Sequence, residues 1–185
     1  MKRIYIVIAI AAAHFGAAVP AQAGMFELSM LFSYRHSHYS ETSYSWTRRW
    51  GASVGYHFTE RSGVEFSFQD SFERTFITNS QDTNFHDTVM SVNWIQELLG
   101  RQTIFQPYVK AGVGQLNRDA TGNYGGLYSP PLQVDSVTVV LGMGFRVYFQ
   151  QNLGFKTEVT SYLSGGSIST WKDNIAVDFG ASFYF

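Results

Sequence analysis

The sequence predicts an all-β protein: a transmembrane barrel of eight antiparallel strands in up-and-down order. Three observations lead there. In the closing stretch Ile175–Phe185, one parity carries Ile175, Val177, Phe179, Ala181, Phe183 and Phe185, and the other Ala176, Asp178, Gly180, Ser182 and Tyr184. An apolar face opposite a small or polar one is the pattern of a strand held between lipid and a polar interior. Aromatic residues make up 17% of the chain, yet mean hydropathy is only −0.09. Beyond the first residues, no window is an apolar run of the ~20 residues that a spanning helix needs. Short connections also alternate with long ones, as turns and loops do in transmembrane barrels.

Residues 1–23 read as a secretory signal peptide. Lys2 and Arg3 supply a positive start, Ile4–Ala13 an apolar run, and Ala21-Gln22-Ala23 a small-x-small site with cleavage after Ala23. His14 and Gly16 break the run and argue against a membrane helix. Residues 24–185 then form one domain, leaving 162 of the 185 residues. Without Lys2 and Arg3 the basic side chains fall from 13 to 11 against 14 acidic ones. No basic face stands out, so a nucleic-acid partner is not expected. Cysteine is absent, which excludes disulfides, thiolate metal sites and cysteine nucleophiles.

Eight alternating segments follow in order. Phe26–Arg35 sets Phe26, Leu28, Met30, Phe32 and Tyr34 against Glu27, Ser29, Ser33 and Arg35. Tyr44–Phe58 sets Trp50, Ala52, Val54 and Tyr56 against Arg49, Gly51, Ser53 and Gly55. Gly63–Phe76 opposes Val64, Phe66, Phe68 and Phe72 to Glu65, Ser67, Gln69, Ser71 and Glu73, and Phe85–Ile95 opposes Thr88, Met90, Val92 and Trp94 to Asp87, Val89, Ser91 and Asn93. Phe105–Leu116 places Val109, Ala111 and Val113 opposite Tyr108, Lys110, Gly112 and Gly114. Val134–Phe149 is the cleanest: Val137 to Phe149 on one parity, with Gly142, Gly144, Arg146 and Tyr148 on the other. Leu153–Leu163 alternates Phe155, Val159 and Leu163 with Lys156, Glu158 and Tyr162, and Ile175–Phe185 closes the set. Each reaches the ~9–11 residues of a tilted spanning strand. Thr59–Ser62, Gln96–Gln102 and Gln150–Asn152 read as short turns. His36–Ser43, Ile77–Asn84, Asn117–Gln133 and Ser164–Asp173 read as loops rich in Gly, Ser, Asn and Thr.

An eight-stranded barrel is just wide enough to be filled by side chains. Parity sends Glu27, Glu65, Glu73, Asp87, Glu158 and Asp178 inward with Arg35, Arg49, Lys110, Arg146 and Lys156. Such near balance is what makes confined charges tolerable. An ionic network is expected at mid-barrel, centred on Arg49, Glu65, Lys110, Arg146 and Glu158 and structural in role. Two aromatic belts are expected: Tyr56, Phe58, Trp94, Tyr148 and Phe149 on the turn side, and Tyr34, Trp46 and Tyr162 on the loop side. Arg48 and Asp70 fall on the lipid parity. A bulge at Arg48-Arg49, or an Arg48 reaching for the headgroups, would accommodate the first. Asp70 argues against regular register in the third segment.

The signal peptide, the eight strands, the glycine-rich run Tyr108-Val109-Lys110-Ala111-Gly112-Val113-Gly114 and the terminal run Val177–Phe185 together resemble the small OmpA/OmpX-type outer-membrane barrels. The resemblance implies residence in the bacterial outer membrane, among its lipids and lipopolysaccharide. It also implies insertion by the barrel-assembly machinery, which recognises a final strand ending on an aromatic; Phe179, Phe183 and Phe185 would be that signal. It fixes no activity and implies no cofactor.

Catalytic and metal-binding readings are weaker. Lipid A deacylases, which the chain resembles in size, use a His-x-Ser pair with a glutamate, and His38-Tyr39-Ser40 has that spacing. Glu41 stands where that family has Asn, and a serine nucleophile needs both a base and a residue to orient it. Barrels that transfer palmitate carry a helix before the first strand, whereas here Phe26 already begins one. His36 and His38 lie two apart without a third ligand, and Gly122–Gly126 lacks the features of a phosphate cradle. The function expected is non-enzymatic: an envelope structural or surface-interaction role, with an extracellular ligand held through the long loops. The alternatives are a lipid A-modifying enzyme and a narrow ion channel.

Overall fold

A computed structural model describes residues 25–40, 43–77, 81–99, 104–124, 127–150, 152–164 and 175–185. They form strands β1 (Met25–Ser40), β2 (Ser43–His57), β3 (Ser62–Ile77) and β4 (Gln81–Glu97), then β5 (Phe105–Tyr124), β6 (Leu127–Gln150), β7 (Leu153–Ser164) and β8 (Ile175–Tyr184). Every strand pairs antiparallel with its sequence neighbours, and β8 returns to β1 to close the barrel. The seam runs from Glu27↔Tyr184 to Phe32↔Phe179. At its turn end, the Phe185 N–H donates to the Phe26 carbonyl at 3.0 Å, and the Phe26 N–H to the Phe185 carbonyl at 3.3 Å. Closure matters because hydrocarbon offers no partner to an open strand edge.

The alternation read from the sequence sorts the two faces as expected. Met30, Phe66, Val92, Val113, Met143 and Phe179 are each at least half exposed on the outer wall, while Ser29, Glu65, Asn93, Thr138, Glu158 and Ser182 are buried inside. Turn-side strand ends agree with the sequence reading to within two residues. On the loop side β1, β4, β5 and β6 run further than expected. The stretch 117–133, expected to be a loop, is mostly a hairpin whose pairing continues to Tyr124↔Leu127. Its flank is held as well, since β4 follows β5 to Gln81↔Tyr124. Apolar alternation stops where lipid stops, but the hydrogen-bond ladder does not. Pro130 and Pro131, which lack N–H donors, oppose the single residue Thr121 where the register shifts. A bulge is where a sheet tolerates proline.

The two residues at odds with the lipid parity have different explanations. Register through Arg48 and Arg49 is unbroken on both sides of β2, so there is no bulge, and Arg48 is exposed on the outer wall opposite Tyr34 and Phe72. Asp70 also faces outward in regular register. The Trp50 indole N–H donates to it at 3.1 Å, and His86 Nε2 lies 2.8 Å from its other oxygen. These three stand on the outer faces of three adjacent strands, β2, β3 and β4, and bond to one another. Two aromatics assigned to the belts, Tyr148 and Tyr162, sit inside instead. Tyr148 donates to Gln106 at 2.9 Å and packs on Tyr184 at 5.3 Å between ring centroids. Tyr162 lines the interior cavities.

Candidate functional site: the charged interior

Side chains from β1 to β7 form two joined charged clusters in the lower half of the lumen. Nearer the turns, Arg146 forks onto Glu27, with Nε–Oε1 3.1 Å and Nη2–Oε2 2.8 Å, and reaches Glu97 at 3.0 Å. His57 Nε2 lies 3.0 Å from Glu27, and its Nδ1 lies 3.7 Å from Glu97. The Ser29 hydroxyl donates to Glu27 at 2.9 Å. Above this level, Lys110 contacts Glu158 closely and lies 3.5 Å from Glu65. Lys156 donates to Glu65 at 2.8 Å, and the hydroxyls of Tyr108 and Thr160 each donate to Glu158 at 2.7 Å. Lys156 joins the two clusters, since its ammonium is also 3.9 Å from Glu27 and 3.7 Å from Glu158.

Burial explains why so many partners are needed. Arg146 and Lys156 are 0% exposed, and Glu27, Glu65, Glu97 and Glu158 are 1% exposed. Removing such groups from water costs several kcal/mol per ion (roughly, after relaxation), an amount offset only where each charge is paired and its remaining lone pairs are bonded. Tyr108 completes the packing, with its ring 4.3 Å below the Arg146 guanidinium. Gly144 makes that placement possible, because a Cβ there would stand 2.6 Å from the Tyr108 hydroxyl.

Of the residues expected to form the network, Glu65, Lys110, Arg146 and Glu158 lie within these clusters. Arg49 does not join them. It faces the lumen nearer the loops, beside a cavity of ≈ 20 Å³ lined also by Gln69, Ser71, Asp87 and Tyr162. A second cavity of ≈ 20 Å³ touches Lys110, Glu158 and Asp178, and each has room for about one water. Glu27 and Lys156 were assigned to the inner face but not to the network, while His57, Glu97 and Tyr108 were not foreseen as members. Glu97 was placed in a turn. Extending the fourth segment's alternation by two residues, from Ile95, would have put it inside. At the loop end, Arg118 forks onto Asp87 at 2.7 and 2.6 Å, and on the outer face Arg74 pairs with Asp82 at 2.9 Å.

Residues singled out for other roles are placed as follows. Phe179 and Phe183 are 50% and 47% exposed on the outer wall of β8, and Phe185 is half-buried at the seam. His36 stands opposite Trp46 with its ring 6.1 Å from Tyr44. The backbone of His38 and Ser40 belongs to β1, and the register against β2 shifts between them. Their side chains, Glu41, and residues 1–24 with the Ala23 site lie outside the described residues. Among the described residues, no group of three His, Asp or Glu is arranged to hold a metal.

The same architecture recurs in solved structures. The N-terminal β-barrel domain of OprF from Pseudomonas aeruginosa is similar, with 17% identity, a TM-score of 0.59, and coverage of 88% of this chain and 99% of that one. OprG from the same organism gives 14%, 0.57, 89% and 97%. Ail, the attachment invasion locus protein of Yersinia pestis, gives 15%, 0.56, 89% and 100%. At these identities the likeness is one of fold. A comparison with curated proteins found no match. The model of the outer membrane protein beta-barrel domain matches residues 7–183. With its closed eight-stranded wall, apolar outside and charge-paired inside, the chain belongs to that family and is a protein of the bacterial outer membrane.

Proposed function

We propose that this barrel is a non-enzymatic scaffold. Its sealed lumen gives the wall rigidity, and its loop end meets solutes or surfaces outside the cell. The observation that carries the reading is the row of charge pairs across the lumen, from Glu97 and Arg146 through Glu27, Lys156 and Glu65 to Lys110 and Glu158. A continuous ion path would have to break several of these contacts at once. The β5–β6 hairpin supports the outward-facing role, because its backbone pairing continues to Tyr124↔Leu127, well past the ~9–11 residues that crossing the bilayer requires. The apolar wall fits outer-membrane lipid, with the acyl chains and headgroups of lipopolysaccharide on the loop side. Export by a signal peptide cleaved after Ala23, and insertion by the barrel-assembly machinery reading Phe179, Phe183 and Phe185, belong to the same proposal.

Lipid A modification is the enzymatic alternative. The sequence feature that suggests it is His38-Tyr39-Ser40, at the loop end of β1. The test is the lipid A mass spectrum of cells overproducing the protein. An unchanged acyl pattern is expected. A lost or added acyl chain that disappears in Ser40→Ala would replace the scaffold reading with an acyl-ester hydrolase or transferase.

A further inference from the structure

The lumen holds arginines of two kinds. Arg118 and Arg146 are each forked onto a carboxylate. Arg35 and Arg49 are not: among the described residues neither makes a hydrogen bond or ion pair, and Arg49 Nε is fully enclosed without a partner. The two sit on the inner faces of β1 and β2. Arg35 is opposite Thr47, and Arg49 is opposite Ser33, which makes the arginines diagonal neighbours about 7–8 Å apart along the backbone. Two cations on one face of a narrow lumen gain from sharing a counter-charge. Arg49 also lines the ≈ 20 Å³ cavity with Gln69 and Ser71, which has room for about one oxygen atom.

We propose that Arg35 and Arg49 receive a single oxyanion group, a carboxylate, phosphate or sulfate, from the aqueous side of the barrel mouth. Guanidinium groups match such anions with parallel N–H donors, and the hydroxyls of Ser33 and Thr47 share the same inward parity. The charge balance sets the ligand class. Asp178 lies in the field of Arg49 and Glu73 in that of Arg118, and Asp87 is paired with Arg118. These carboxylates leave no large positive excess at the mouth, which argues against a polyanion; what favours one small anion is the set of N–H donors on Arg35 and Arg49 that no carboxylate among the described residues takes up. Direction is set by parity: Arg35 and Arg49 face the lumen, whereas Arg48 between them in register faces the leaflet. A lipid phosphate can approach Arg48 but not the pair.

This site deepens the surface-contact reading above, and its test is separate from the lipid A spectrum. Full-length protein in detergent micelles, labelled with ¹⁵N, is titrated with inorganic sulfate, with chloride at matched ionic strength as control. The arginine Nε–Hε signals are followed. Those of Arg35 and Arg49 are expected to shift and saturate with sulfate and not with chloride, while that of Arg48 stays in place. Arg35→Ser and Arg49→Lys should each weaken sulfate binding about tenfold or more, and Arg48→Ser should leave it unchanged. Arg35 is exposed, so its variant keeps the test valid if Arg49→Lys fails to fold. A second titration with lipopolysaccharide in the micelles should move only Arg48. Flat sulfate curves, equal response to chloride, or Arg35 and Arg49 responding to lipopolysaccharide alone would overturn the site and leave the scaffold reading standing.

Discussion

Arg146 is fully buried and holds two carboxylates, Glu27 and Glu97, from strands on either side of the lumen. Arg74 makes an ion pair of similar length with Asp82, but with side chains 38% and 34% exposed. Length does not decide what each is worth; the surroundings do. Arg146→Leu strands two buried carboxylates and should cost about 3–5 kcal/mol, whereas Arg74→Ala should cost less than about 1 kcal/mol. Urea unfolding of the two variants in detergent measures both, and equal midpoints would contradict this account of the lumen. Gly144→Ala should overpack the core, because its Cβ would press on both the Thr157 carbonyl and the Tyr108 hydroxyl, at a cost of about 1–3 kcal/mol, read in the same way. Alternation in the sequence is enough to point Glu27 and Arg146 inward, although it leaves Glu97 in a turn. It is not enough to say which charges meet. Alternation fixes a side chain's face, while the stagger between strands fixes its height, and no local pattern encodes that stagger. Arg49 was therefore grouped with charges a level below it, and Glu27 was left out of the cluster it helps to hold.

At the scale of the strand, the part in lipid was legible and the part beyond it was not. Within the membrane, apolar residues must alternate, so strand ends on the turn side could be read closely. Beyond the loop-side headgroups a strand has no lipid to face. Arg118, Asp119 and Asn123 carry no apolar period, although pairing continues to Tyr124↔Leu127. The barrel should not need that extension, since Phe105–Leu116 already supplies the ~9–11 residues for crossing. Replacing residues 119–133 by a two-residue Asn-Gly turn should leave a folded barrel that still migrates differently before and after boiling on a denaturing gel. Failure to fold would assign the hairpin a structural role. The opposite is expected at the seam. Deleting Phe183–Phe185 removes the Leu28↔Phe183 and Glu27↔Tyr184 pairs and the terminal hydrogen bonds, so folded protein recovered from the outer membrane should fall sharply. Undiminished yield would show that closure does not depend on the last residues.

For the whole molecule, fold and location followed from one physical requirement: a wall without free edges in hydrocarbon. The sequence also showed that acids and bases inside were nearly balanced, which is the condition for a filled barrel. Whether they pair closely enough to seal the lumen depends on three-dimensional contacts, such as Lys156 reaching three carboxylates. The most direct test of that seal is single-channel recording of the purified full-length protein in planar bilayers under symmetric potassium chloride. Insertion without resolvable conductance steps is the result expected of a lumen closed by its charge pairs. Regular open steps from the unmodified protein, growing with salt concentration, would contradict it.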